Sequence, residues 1–216
     1  MSIESNKILG GVGAVLLFVG IIPFRYMFLI SLVGLILVLV AMYGFSNIYG
    51  ERRIFNNLLY GIIAGIVGMV VAFFVAIFSV FATFTQLLYE IFPGWNGDWT
   101  ALSGMTPDTS NLDIGTILPL LGGLLLIFVI LYAFTIVGGF FARRSFNALS
   151  EKTGIGLFST AGLILFIGTF LTIVLIGFLL IWISVLLIAI AFFQIRTQAE
   201  APAATAVPVP PAPSPG

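Results

Sequence analysis

Cysteine and histidine are both missing from the 216-residue chain, and only 7% of it is charged. Without cysteine there is no disulfide, no thiol nucleophile and no thiolate metal ligand. Without histidine the commonest general base and the commonest metal ligand are gone as well. Eight basic and eight acidic side chains balance to a formal charge of zero, so no bulk field points to nucleic acid. With 61% hydrophobic residues, the chain carries too little charge to cover a soluble domain of its size. What it has instead is repeated apolar runs of about 20 residues, the length that crosses a bilayer. It also has 24 glycines, many of them inside those runs. Membrane helices use glycine to bring backbones together.

The composition and spacing predict an all-α integral membrane bundle over residues 1–196, with about six transmembrane helices, and a disordered Pro/Ala-rich tail over 197–216. Spans are expected at about 8–22, 24–46, 58–86, 114–142, 157–172 and 174–195. Pro23 marks the first turn, since it cannot continue a helix without losing a hydrogen bond. The apolar stretch Leu157–Ile195 would make a single helix of about 58 Å. It is therefore split near Leu171–Gly177, although no polar turn marks the place. The tail holds six of the ten prolines and reads as a polyproline-like solubilising segment, with partner docking as the alternative.

In this arrangement Lys7, Arg52, Arg53, Arg143, Arg144, Lys152 and Arg196 share one side, and Arg25 alone lies on the other. The positive-inside rule then makes both termini cytoplasmic. The stretch Arg143–Gly156 is read as a polar connection on that side. The sizeable outer loop, Leu87–Asp113, carries Glu90, Asp98, Asp108 and Asp113 and no basic residue. Tyr89, Phe92, Trp95 and Trp99 are expected at headgroup level. The run Asp108–Asp113 lacks the glycine and bidentate glutamate of a calcium loop and reads as solvated. No metal and no cofactor are expected.

One stripe stands out. Gly61, Gly65, Gly68, Ala72, Ala76, Ser79 and Thr83 recur at steps of three and four. They predict a helix-packing seam on a helix at the centre of the bundle. Two internal echoes accompany it. Arg52-Arg53-Ile54-Phe55-Asn56-Asn57-Leu58 recurs as Arg143-Arg144-Ser145-Phe146-Asn147-Ala148-Leu149, giving RRxFNxL twice. Gly13–Gly20 resembles Ala161–Gly168. Each echo is read as relating segments of one orientation, with no inverted repeat. The functional reading of the RRxFNxL copies is contact with anionic lipid headgroups through Arg52, Arg53, Arg143 and Arg144, each worth about 1 kcal/mol near the leaflet. Phe55 and Phe146 would then lie in the acyl boundary, and Asn56 and Asn147 would satisfy helix ends. The plainer reading, favoured here, is topogenic anchoring.

Three segments, Ser5–Gly13, Ile54–Tyr60 and Leu157–Gly162, together resemble a prokaryotic, mainly archaeal, family of multi-pass membrane proteins known as domain of unknown function 996. The resemblance covers about residues 5–195. It implies a cell-membrane location and supplies no activity, ligand or catalytic residue. The residues themselves argue against an enzyme, because the spans contain no clear ionisable residue to serve as nucleophile, acid or base. Two classes remain. One is a non-enzymatic scaffold or partner-binding subunit, with the lipid bilayer, a protein partner or a second copy of itself as company. The other is a channel or transporter for a small solute or ion, lined by hydroxyls such as Ser79, Thr83, Ser159, Thr169 and Thr172, with Pro119 and Gly122-Gly123 breaking the fourth span.

Overall fold

The computed structural model describes residues 2–20, 27–110 and 114–196. The first turn with Pro23 and Arg25, Asp113 and the tail with Thr205 lie outside the described residues. Among the described residues the structure is all-α. Six helical stretches are long and apolar enough to cross a membrane. The helices are α1 (Ile3–Gly20), α2 (Met27–Ile48), α3 (Arg52–Val75), α4 (Ala82–Ile91), α5 (Ile114–Thr153), α6 (Gly156–Leu171) and α7 (Ile176–Phe193). A π-helical segment, Ala76–Phe81, joins α3 to α4 without a break. Around the bundle, α1 lies on α2 and α7, α7 on α6, α6 on α5, and α5 on α3, while α2 meets α3 to close the ring.

Local chemistry sets the ends. Gly50 takes a φ of +63°, and the Glu51 carboxylate then accepts from the Arg53 N–H to cap α3. Glu51 also brings a negative charge to the positive end of the helix dipole. At the other connection Gly154, φ +73°, stops α5, and its N–H donates to Ser150 O. Glycine suits both places because a left-handed residue has little room for a Cβ. The connection between α6 and α7 is different. It is a short 3-10 turn, Thr172–Val174, followed by Leu175 at φ +65°. Leu175 is 74% exposed and is flanked by the exposed Ile173, Val174 and Ile176.

The core sits at the end that carries Arg52, Lys152 and Arg196, here termed the basic end. Phe45 of α2, Phe192 of α7, Phe158 of α6 and Phe146 of α5 form a line of rings with neighbouring centroids 6.1, 5.1 and 6.4 Å apart. Around them Met42, Ile54, Leu149 and Ile195 are fully buried. Away from that end the bundle thins. Toward the other end α5 is tied to α6 through Tyr132, whose hydroxyl donates to Phe170 O at 2.9 Å. Beyond it α5 runs on to Ile114, about 27 Å at 1.5 Å per residue, paired with the π segment and α4. The expectation of a central third helix is thus corrected. The stretch Arg52–Ile91 is 40 residues long and lies at the edge of the chain's own bundle, as one arm of a two-helix hairpin with α5.

The seam residues face that one partner. A Cβ on Gly61 would lie 3.0 Å from Gly138 O, and one on Gly68 would lie 2.5 Å from the Phe134 side chain. Ala72 is buried, and Ser79 faces Gly123. Gly65 meets nothing within 4 Å, so it belongs to the periodicity but not to the contact. Ala76 is half-buried, and Thr83 turns its hydroxyl back to Ser79 O at 2.9 Å.

Candidate functional site at the basic end

The two RRxFNxL copies meet each other. The first opens α3, and the second lies inside α5, which continues as helix through Thr153. The expected polar connection from Arg143 is therefore mostly helix. Its apolar positions Ala142, Phe146 and Leu149, with small Ser145 and Ala148 between, recur at helical spacing and are buried. This periodicity is present in the sequence, but the charges at 143, 144, 151 and 152 mask it. Because α3 and α5 run antiparallel, the copies do not share an orientation. The fully buried Ser145 hydroxyl, at the variable position of one copy, donates to Ile54 O, at the same position of the other. Leu58 and Leu149, the last residues of the two copies, are both buried.

Charge follows this pairing. Arg53 donates to Glu51 through Nε at 2.8 Å and Nη2 at 3.1 Å. It also lies 3.6 Å from Glu151, and Lys152 Nζ is 3.8 Å from Glu51. The two-pronged bond from Arg53 is the main reason the Glu51 carboxyl falls to a pKa of about 2. Arg52 is exposed. Arg143 and Arg144 have no carboxylate partner among the described residues; they lie on aromatic faces. The Arg144 guanidinium is 4.7 Å from the Phe140 ring centre, and that of Arg143 is 5.4 Å from Phe166. Helical side chains lean toward the start of their own helix, which turns both arginines away from the basic end and along the apolar part of α5.

A cleft of about 370 Å³ opens between the copies, lined by Arg53, Asn57, Arg144, Asn147, Ala148 and Glu151. The Asn147 Oδ1 is buried and has no hydrogen-bond partner, so it does not satisfy a helix end as expected. Phe146 is in the core and not at an acyl boundary, while Phe55 is half-buried with its ring edge-on to Tyr43 at 5.2 Å. A second recess of about 590 Å³ is lined by Tyr49, Thr153–Gly156 and Gln194–Arg196. Burial there pushes the Tyr49 phenol up. Asn6 is fully buried against Gly44, with neither side-chain polar atom bonded.

At the far end, the loop after α4 folds back on its own helix. Trp95 is buried against its neighbours, and its indole N–H donates to Asp98 O at 2.7 Å. Trp99 lies 6.4 Å from Phe84 and 6.3 Å from Phe81. Asp98 and Asp108 each accept from a nearby hydroxyl, Thr100 and Ser110 respectively, which holds both carboxyls below their usual range. Gln86 and Glu90 are exposed. The described residues hold no cluster of three acidic side chains suited to a metal ion.

A family model described as "Protein of unknown function (DUF996)" matches residues 30–186. An uncharacterized protein of Methanocaldococcus jannaschii is 29% identical over 202 residues, 93% of this chain and 97% of that protein. No solved structure matches the chain. The family match covers most of the bundle, from the second helix to the last, and with it the chain belongs to the DUF996 family of proteins of unknown function.

Proposed function

We propose that the chain is a non-enzymatic, multi-pass protein of the cell membrane, with both termini in the cytoplasm, acting as a scaffold or partner-binding subunit. One observation carries this over a pore or carrier: the small and hydroxyl residues are occupied in helix contacts. Gly61 meets Gly138, Gly68 meets Phe134 and Gly123 meets Ser79 and Val80. Thr83, Thr135, Thr169 and Thr172 each donate to a carbonyl of their own helix or the turn beside it. Such hydroxyls are committed to the backbone and do not line a path. Arg52, Arg53, Arg143 and Arg144 contact anionic lipid in this reading. Purified chain in proteoliposomes should pass no ion or small solute above protein-free vesicles. It should also leave detergent extracts with a defined stoichiometry of itself or of one other membrane protein. Saturable flux would overturn the reading.

A second reading, passage of a small anion, is favoured by Arg143 and Arg144 in the apolar run of α5, since intramembrane arginines commonly mark ion paths. Flux of an anion that is lost in Arg143→Gln would decide for it. Orientation is tested with single cysteines in this cysteine-free chain. Asp98→Cys and Asp108→Cys should label from outside and Glu151→Cys only from inside. Ser145, an obvious choice from sequence, is buried and unsuited to the assay.

A further inference from the structure

The cleft between the RRxFNxL copies brings one arginine from each copy to the same recess, and the two are not equivalent. Arg53 has its fork taken by Glu51 and is shared with Glu151. Arg144 rests on Phe140 with no acidic partner among the described residues. A guanidinium held on a ring still presents its N–H edge, and that edge suits two oxygens of a phosphate. The same recess is lined by two acceptors, Asn147 and Glu151, which follow Arg144 along one face of α5. Asn147 Oδ1 is buried and unbonded, a state that costs free energy until a donor arrives. The Glu151 carboxylate is only loosely engaged, at 3.6 Å from Arg53. One anion-seeking fork beside two acceptors is the complement of a singly charged phosphodiester whose far end carries a hydroxyl or an amine. A free phosphate of higher charge would be repelled by Glu151.

We infer that this cleft binds the headgroup of a phosphodiester lipid with a donor-bearing terminal group. The phosphate sits on Arg144, and the terminal hydroxyl or amine reaches Asn147 and Glu151. The flank of the cleft continues into apolar surface on the same helix faces. Val137 and Phe140 precede Arg144 on α5, and Tyr60 follows Arg53 and Asn57 on α3; all three are exposed. Acyl chains would lie along them. A tyrosine and an arginine at the edge of an apolar run are the residues that settle at a headgroup layer. The inference rests on the membrane reading of the chain but not on its orientation or on the choice between scaffold and path.

The test uses the full chain in phosphatidylcholine nanodiscs containing a minor fraction of phosphatidylglycerol, with lipid retained per chain read by native mass spectrometry. Wild type should retain phosphatidylglycerol selectively. Arg144→Gln should lower that retention about 10-fold, as loss of a charge-assisted contact does. Asn147→Ala should lower it about 3-fold, and Arg52→Gln and Arg53→Gln less than about 2-fold. Should Arg144→Gln not fold, Arg144→Lys, which keeps the charge but not the fork, should still lose about 3-fold. Equal losses in Arg52→Gln and Arg144→Gln would mean diffuse charge attraction and overturn the site. Equal retention of phosphatidic acid, which lacks the donor group, would overturn the roles of Asn147 and Glu151. Displacement by inorganic phosphate would overturn a lipid ligand. A chain that failed to enter nanodiscs at all would refute the membrane reading itself, whereas entry without lipid selectivity would refute this inference alone.

Discussion

The α1–α2 pair and the α3–α5 hairpin both rely on glycine, and they use it in opposite ways. In the first pair glycine faces backbone. A Cβ on Gly13 would lie 2.8 Å from Gly34 O, and one on Gly34 would lie 2.6 Å from Gly13 O. Nothing there can move aside without moving a helix. In the hairpin the tightest approach of a glycine to the partner's backbone is between Gly61 and Gly138, near the basic end. Farther out, Gly68 meets the Cβ of Phe134, which moves only with its backbone, Gly123 meets the side-chain ends of Val80 and Ser79, and Gly65 and Gly122 meet nothing. Glycine content therefore does not by itself measure constraint. The decisive quantity is whether the opposing atom is backbone or a Cβ, which is fixed, or the far end of a side chain, which yields.

The sharpest way to break the comparison is a large residue in each pair. Gly13→Leu and Gly34→Leu should largely abolish folded protein, since each forces two helix backbones apart and exceeds the roughly 1–3 kcal/mol of ordinary overpacking. Gly68→Leu should cost about 3 kcal/mol or more, because the Phe134 Cβ can give way only if its helix shifts. Gly65→Leu should stay within about 0.5 kcal/mol. Melting in detergent, followed by fluorescence-detected gel filtration, orders the four. A Gly65→Leu loss as large as that of Gly13→Leu would mean that a second molecule covers this face of α3.

Smaller effects sharpen the picture at the basic end. Ser145→Ala removes the buried bond to Ile54 O and should cost about 1 kcal/mol. It should also loosen the cleft, lowering lipid retention without touching a charge. The smallest effect is pH-dependent. The Glu51 carboxyl is depressed to about 2 by its bond to Arg53. A depressed carboxyl stabilises the fold above its unfolded pKa of about 4.3 and loses that contribution as pH falls through the folded value. Glu51→Gln should therefore melt slightly below wild type at pH 6, with the gap closing toward about pH 2. A gap that did not change with pH would show that the carboxylate charge plays no part.

Much of this architecture can be read from the chain. The apolar runs place six membrane-length helices, and the small-residue stripe identifies the face that α5 covers, because helix periodicity writes contacts into spacing. The stripe does not tell Gly65 from Gly68, since that difference depends on where Phe134 of another helix falls. The second RRxFNxL copy misleads for a related reason. Arg143, Arg144, Glu151 and Lys152 look like the edge of a span, while Phe146 and Leu149 keep the helical phase across the same stretch. Charge suggests the membrane boundary, and periodicity reports the helix; the two need not coincide when a helix outruns the bilayer. The cleft is beyond sequence, because it exists only once two distant heptapeptides lie antiparallel.

The π-helical segment Ala76–Phe81 has one more consequence. A π turn holds a residue more than the α turn it replaces, so everything beyond it is rotated by about 100° relative to an unbroken α-helix. That rotation works as a gear between the two ends of the hairpin. It sets which way α4, with the Trp99 indole resting on Phe84, faces relative to α5. Deleting one residue from the segment would leave the helix length nearly unchanged and every apolar run intact. It would nevertheless turn α4 and the loop folded onto it as one body about the helix axis, so that a chain equally suited to the bilayer would carry its cap on the wrong side of the hairpin.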